Sequence, residues 1–121
     1  MKARLSKDFQ FEAAHSLPRL PDGHQCRNLH GHSFKVEIVI EGEVDAHIGW
    51  VYDHSRISEA MEPVLETLDH SYLNDIEGLE MPTIETLAGW IWRRLEKTLP
   101  GLREVIIHET PRARCIFRGE W

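Results

Sequence analysis

The chain has 121 residues, 41% of them hydrophobic and 28% charged, and a formal net charge of −6. A chain of this length suits one domain around one core, and its mixed composition excludes a disordered chain. No apolar run approaches the ~20 residues that cross a bilayer, and the negative balance argues against nucleic acid as the main partner. The expectations are therefore a cytoplasmic protein with neither membrane nor nucleic acid as partner.

Residues 4–15 alternate, placing Phe9, Phe11, Ala13 and His15 on one face of a predicted strand and Asp8, Gln10 and Glu12 on the other. Pro18, Pro21 and Gly23 punctuate a loop over 16–29. Residues 30–41 alternate again. His30, His32, Phe34, Val36, Ile38 and Ile40 share one face, and Gly42 is expected to end the strand. A first helix is predicted from Ser55 to Leu68, with Ile57, Met61, Val64, Leu65 and Leu68 as its apolar stripe. Pro63 predicts a kink or an early break inside it. A second helix is predicted to start after a Thr83 cap and to run to Leu99, where Pro100-Gly101 stops it. Residues 103–110 read as a strand with Val105, Ile107 and Glu109 on one face, and 113–118 are expected to pair with it as a short hairpin through Pro111.

The order β-β-α-α-β-β predicts an α+β fold, in which a four-stranded antiparallel sheet carries two helices on one face. So small a sheet leaves open edges, and homo-oligomerisation by edge pairing is the natural way to cover them.

His30 and His32 stand two apart on a strand, so both rings leave the same face. His15 ends another strand on the face that carries Phe9 and Phe11. Three neutral imidazoles with an open fourth position form a catalytic-zinc pattern, whereas structural sites close with four ligands and favour cysteine. Spacing alone does not join His15 to the pair. Cys26 lies four residues before His30 in a polar loop. It suits a metal ligand, a nearby base or a small apolar filler. Asp69-His70 follows the first helix, where an Asp can orient a ring or a His can complement the helix dipole. Glu109 falls on an inward face, and a buried carboxylate needs compensating donors such as a paired N–H edge. It also suits a strand-end rim. Cys26 and Cys115 are expected to be free thiols.

Taken together these residues resemble the 6-pyruvoyl-tetrahydropterin synthase / 6-carboxy-tetrahydropterin synthase family. The resemblance rests on Phe9-Gln10-Phe11-Glu12-Ala13-Ala14-His15, Cys26-Arg27-Asn28-Leu29-His30-Gly31-His32, Leu68-Asp69-His70-Ser71-Tyr72-Leu73-Asn74, Pro82-Thr83-Ile84-Glu85 and His108-Glu109-Thr110. The short gap from the cysteine to His-Gly-His is similar to the bacterial carboxy-type enzymes of queuosine biosynthesis. It implies Zn²⁺ on His15, His30 and His32, and Cys26 as the proton-abstracting base. Asp69 and His70 would relay protons, and Glu109 would anchor the pterin. Thr83 would contact the pterin or only cap its helix. The implied reaction takes 7,8-dihydroneopterin triphosphate to 6-carboxy-5,6,7,8-tetrahydropterin, acetaldehyde and triphosphate. The family fold closes sheets edge to edge into a β-barrel, usually of a hexamer, with active sites between subunits. A pyruvoyl synthase and a non-catalytic zinc- or pterin-binding module are the alternatives.

Overall fold

A computed structural model describes all 121 residues, Met1–Trp121. Two long strands dominate it: β1 (Lys2–His15) and β2 (His30–Glu43). They pair antiparallel along their whole length, from Lys2 opposite Glu43 to His15 opposite His30. Then come helix α1 (His54–Leu68), a two-residue strand β3 (Ser71–Tyr72), helix α2 (Ile84–Leu95), and strands β4 (Leu102–Thr110) and β5 (Ala113–Phe117). The sheet order is β3-β1-β2-β4-β5.

The predicted α+β architecture holds, with four corrections. The sheet has five strands, because Ser71 and Tyr72 run parallel to Ala13 and Ala14 at the β1 edge. Two residues carry no periodicity to announce such a strand. Gly42 does not end β2, which pairs on to Glu43. Pro63 does not break α1, which continues to Leu68. The proline removes one backbone donor, but buried Val64 and Leu68 beyond it hold the last turn against the sheet. Helix α2 ends at Leu95 rather than Leu99. The chain then tightens, with the Thr98 N–H donating to Leu95 O, and still buries Leu99.

The alternation read from the sequence becomes two unlike sheet faces. Phe11, Ala13 and His15 of β1 and Phe34, Val36, Ile38 and Ile40 of β2 point to the helices. Ile57, Met61, Val64 and Leu68 of α1 and Leu87, Ala88, Ile91 and Leu95 of α2 cover them. The other face is open and charged. It carries an Arg4–Glu41 ion pair at 2.6 Å, Lys35 with Asp8 at 3.4 Å, and Ser33 donating to Glu12.

One turn fixes how β4 enters the sheet. Gly101 has φ +82°, and a Cβ there would lie 2.7 Å from Glu41 O. Only glycine accepts that conformation and that approach. The reward is a backbone bond from Glu41 N to Gly101 O.

Candidate metal centre

The β1/β2 ladder brings His15 directly opposite His30, and His32 opposite Ala13 two pairs further along. Because all three histidines leave the helix-covered face, their rings converge at one end of the core. Ring centroids are 4.5 Å (His15–His30), 5.2 Å (His15–His32) and 5.0 Å (His30–His32) apart. An imidazole holding an ion at about 2.0–2.1 Å has its centroid about 3 Å from that ion, so rings in tetrahedral directions lie about 5 Å apart. The observed triangle has that size. Phe34, wholly buried and stacked on Phe11, forms its floor. Its ring meets His15 and His32 edge-on, at 5.5 Å each.

Two backbone carbonyls set the tautomers. His15 Nδ1 donates to Pro82 O at 2.9 Å, and His30 Nδ1 donates to Asn28 O at 2.7 Å. In a neutral ring that leaves each Nε2 lone pair free. Burial, opposed by the Pro82 carbonyl and reinforced by the neighbouring His30, pushes the His15 imidazolium below its ordinary pKa. The ring is therefore held in the neutral form a metal needs. His15 is 1% exposed, and its Nε2 and that of His32 are buried without a hydrogen-bond partner. Buried polar atoms are almost always paired, so this convergence is the chemistry of a metal-binding cluster. The residues present fit a zinc ion.

Glu109 joins this cluster. The ligand atoms of His15, His30, His32 and Glu109 all lie within 4.8 Å of one another. Glu109 Oε1 is 2.9 Å from His32 Nε2 and 3.6 Å from His15 Nε2. The inward face read from Val105 and Ile107 was right, but nothing in the spacing places the carboxylate among the histidines.

The remaining expected residues lie elsewhere. Cys26 contributes no atom to the cluster. It sits in a 3-10 turn, Gln25–Arg27, where its N–H donates to His24 Nδ1 and its carbonyl accepts from Leu17 N. Arg27 laces the same loop by donating to Pro18 O and Leu20 O. Asp69 and His70 form a pair, Nδ1 to Oδ2 3.0 Å. Asp69 is anchored by the Glu12 N–H, the main cause of a pKa below the ordinary carboxyl value. His70 takes a left-handed φ of 57° and donates its N–H to Glu12 O. It lines a hollow with Glu12, Gly31, Ser33 and the cluster residue His32, and Asp69 lines another with Phe9, Ser58 and Leu65 toward α1. Within one chain the pair thus sits at the β1 edge, and neither residue joins the histidine cluster. Thr83 caps α2, accepting from Thr86 N at 3.2 Å. Its neighbour matters more to the cluster, through the carbonyl of Pro82. Carbonyl partners such as Pro82 and Asn28 leave no signature in a sequence.

The comparisons with known proteins agree with this geometry. The family described as 6-pyruvoyl tetrahydropterin synthase matches residues 4–120. A 6-carboxy-5,6,7,8-tetrahydropterin synthase from Synechocystis is 43% identical over 112 residues, spanning 88% of this chain and 85% of that protein. A dihydroneopterin monophosphate aldolase from Pyrococcus furiosus is 39% identical over 101 residues, spanning 84% and 82%. Among solved structures, the 6-pyruvoyl tetrahydropterin synthase of Caenorhabditis elegans superposes with a TM-score of 0.90 at 30% identity, covering 98% of this chain and 96% of that one. Since the family match takes in both helices and reaches every strand, this chain belongs to the 6-pyruvoyl tetrahydropterin synthase family.

Proposed function

We propose that this chain is a zinc-dependent carbon–carbon lyase of the carboxy type, acting in queuosine biosynthesis. It converts 7,8-dihydroneopterin triphosphate to 6-carboxy-5,6,7,8-tetrahydropterin, acetaldehyde and triphosphate. The observation that carries the proposal is the buried, unpartnered Nε2 pair of His15 and His32 meeting His30 and Glu109 at one point. The Synechocystis relative supports the choice of reaction.

His15, His30 and His32 would hold Zn²⁺, with the Pro82 and Asn28 carbonyls fixing the first two rings. Bound there, the ion supplies Lewis-acid polarisation of oxygens on the C6 side chain. Glu109 receives the 2-amino and N3–H edge of the pterin, a paired donor that its two oxygens match. Cys26, as thiolate, takes a proton from the side chain at Sγ. His70 returns protons during C–C cleavage. Asp69, ionised through its bond from the Glu12 N–H, holds the His70 ring by Nδ1 and stabilises its charged form. Asp69-His70 sits at the β1 edge outside the histidine cluster, and one complete site draws the pair from a second copy of the chain. A homo-oligomer closed edge to edge, a hexamer by family analogy, supplies that copy.

The test is a product assay. Zinc-loaded protein is incubated with dihydroneopterin triphosphate and no other cofactor, and the products are identified by mass spectrometry. A carboxy-pterin with acetaldehyde is expected. A pyruvoyl-pterin would keep the site and change the reaction. A hydroxymethyl-pterin with a phosphorylated glycolaldehyde would move the chain toward the aldolase chemistry of the Pyrococcus relative. No turnover with metal bound would leave a binding module.

A further inference from the structure

We infer that Glu109 is the metal's fourth ligand in the resting protein, and that it leaves the metal to hold the pterin, so that arrival of the ring opens the metal. The inference rests on the metal and pterin roles proposed above. Its basis is where the carboxylate lies.

Two donor atoms on one tetrahedral zinc lie about 3.3 Å apart. Glu109 Oε1 is 2.9 Å from one histidine Nε2 and 3.6 Å from another, bracketing that value. The shorter contact is not a hydrogen bond, since His32 Nε2 has no partner of acceptable geometry. Charge points the same way. No Lys or Arg pairs with Glu109; its neighbours in the cluster are the rings of His15, His30 and His32. A partly buried carboxylate with no Lys or Arg beside it calls for a cation, and the metal is that cation.

The backbone gives the side chain room to change partners. The β2/β4 ladder ends at His108, opposite Lys35. The β4/β5 register shifts between His108 and Thr110, leaving Glu109 at the irregularity. Irregular strand ends of this kind re-aim side chains beside active sites. The Glu109 side chain is 26% exposed, half-open to an incoming ligand. One carboxylate cannot hold both the metal and the paired N–H edge of a pterin. Binding the ring therefore vacates a coordination position, which the substrate's side-chain oxygens take. Without a pterin the metal stays closed.

Cobalt makes the exchange visible. Co²⁺ is bound to metal-free wild type, Glu109→Ala and Glu109→Gln, with affinity read by competition with a chromophoric chelator and the ligand set by visible absorption. The glutamine variant preserves side-chain volume and guards against a folding artefact. Both variants are expected to bind on the order of ten- to a hundredfold more weakly than wild type. Unsubstituted pterin, which has no C6 side chain to reach the metal, should shift the wild-type cobalt spectrum toward that of Glu109→Ala. It should leave the spectrum of Glu109→Ala unchanged. Wild-type affinity and spectrum in both variants, with no response to pterin, would overturn the inference and leave the three-histidine site intact. Failure of the wild type itself to bind cobalt would be a separate result, taking down the metal assignment with it.

Discussion

Removing the metal is expected to lower stability without unfolding the chain. The cluster is built on the paired ends of β1 and β2 and is steered by Pro82 O and Asn28 O. The core of 20 buried residues contains none of its ligands. This distinguishes it from small metal-nucleated domains that are unfolded when apo. Binding to the native state alone stabilises by about 2.7 kcal/mol at free zinc 100 times Kd, and by about 4.1 kcal/mol at 1,000 times Kd. Unfolding entropy for a chain of this length is about 0.25 kcal/mol per kelvin. Chelation from those two conditions should then lower Tm by about 11 and 16 °C respectively. Circular dichroism with and without chelator measures both fold and Tm, and His15→Ala should lose most of the metal-dependent shift. If chelation erases the far-UV signal at room temperature, the preformed site is wrong. If zinc leaves and Tm stays put, zinc was not bound by the native cluster.

Cys26→Ala and His70→Ala should each abolish turnover while retaining zinc. Mixed oligomers of the two should recover up to about a quarter of wild-type activity, because random mixing gives that share of sites one intact copy of each residue; no recovery in oligomers shown to be mixed would refute the two-chain site. Gly101→Ala should cost about 1–3 kcal/mol for the left-handed backbone alone, and the 2.7 Å approach of its Cβ to Glu41 O adds to that; an unchanged thermal melt would count against it. Glu41, held at a pKa of about 2 first by its bond from Arg4 and then by Lys2, is depressed below its ordinary 4.5. Its contribution is therefore present above pH 4.5 and lost as pH falls toward 2. Glu41→Gln should flatten that part of the acid-unfolding curve, and an unaltered curve would mean the ion pair is idle.

Much of the fold was legible because period-two alternation leaves no choice of face. His30 through Ile40 names the inner side of β2, and a one-residue slip would bury Ser33, Lys35 and Glu37. What stayed hidden has a common cause, tertiary contact overriding local preference. Strand β3 exists because Ser71 and Tyr72 find the β1 edge, not because two residues favour extension. Helix α1 survives Pro63 because the turn beyond it is buried.

The site divides along the same line. The three histidines were legible as a pair plus one, and only the β1/β2 register, His15 opposite His30, makes them a triangle. Glu109 was legible as inward and not as a neighbour of His32, since that proximity depends on β4 pairing with β2 as far as Lys35 and His108. Asp69-His70 shows the limit of a single chain. Backbone bonds to Glu12 fix the pair at the β1 edge, while odd positions of β1 send His15 to the helix-covered face. The proposed roles of Cys26 and His70 in one reaction are met where the β1 edge of one copy closes on the cluster end of another. The unpaired sheet edges that suggested assembly on grounds of stability are then also what completes the chemistry.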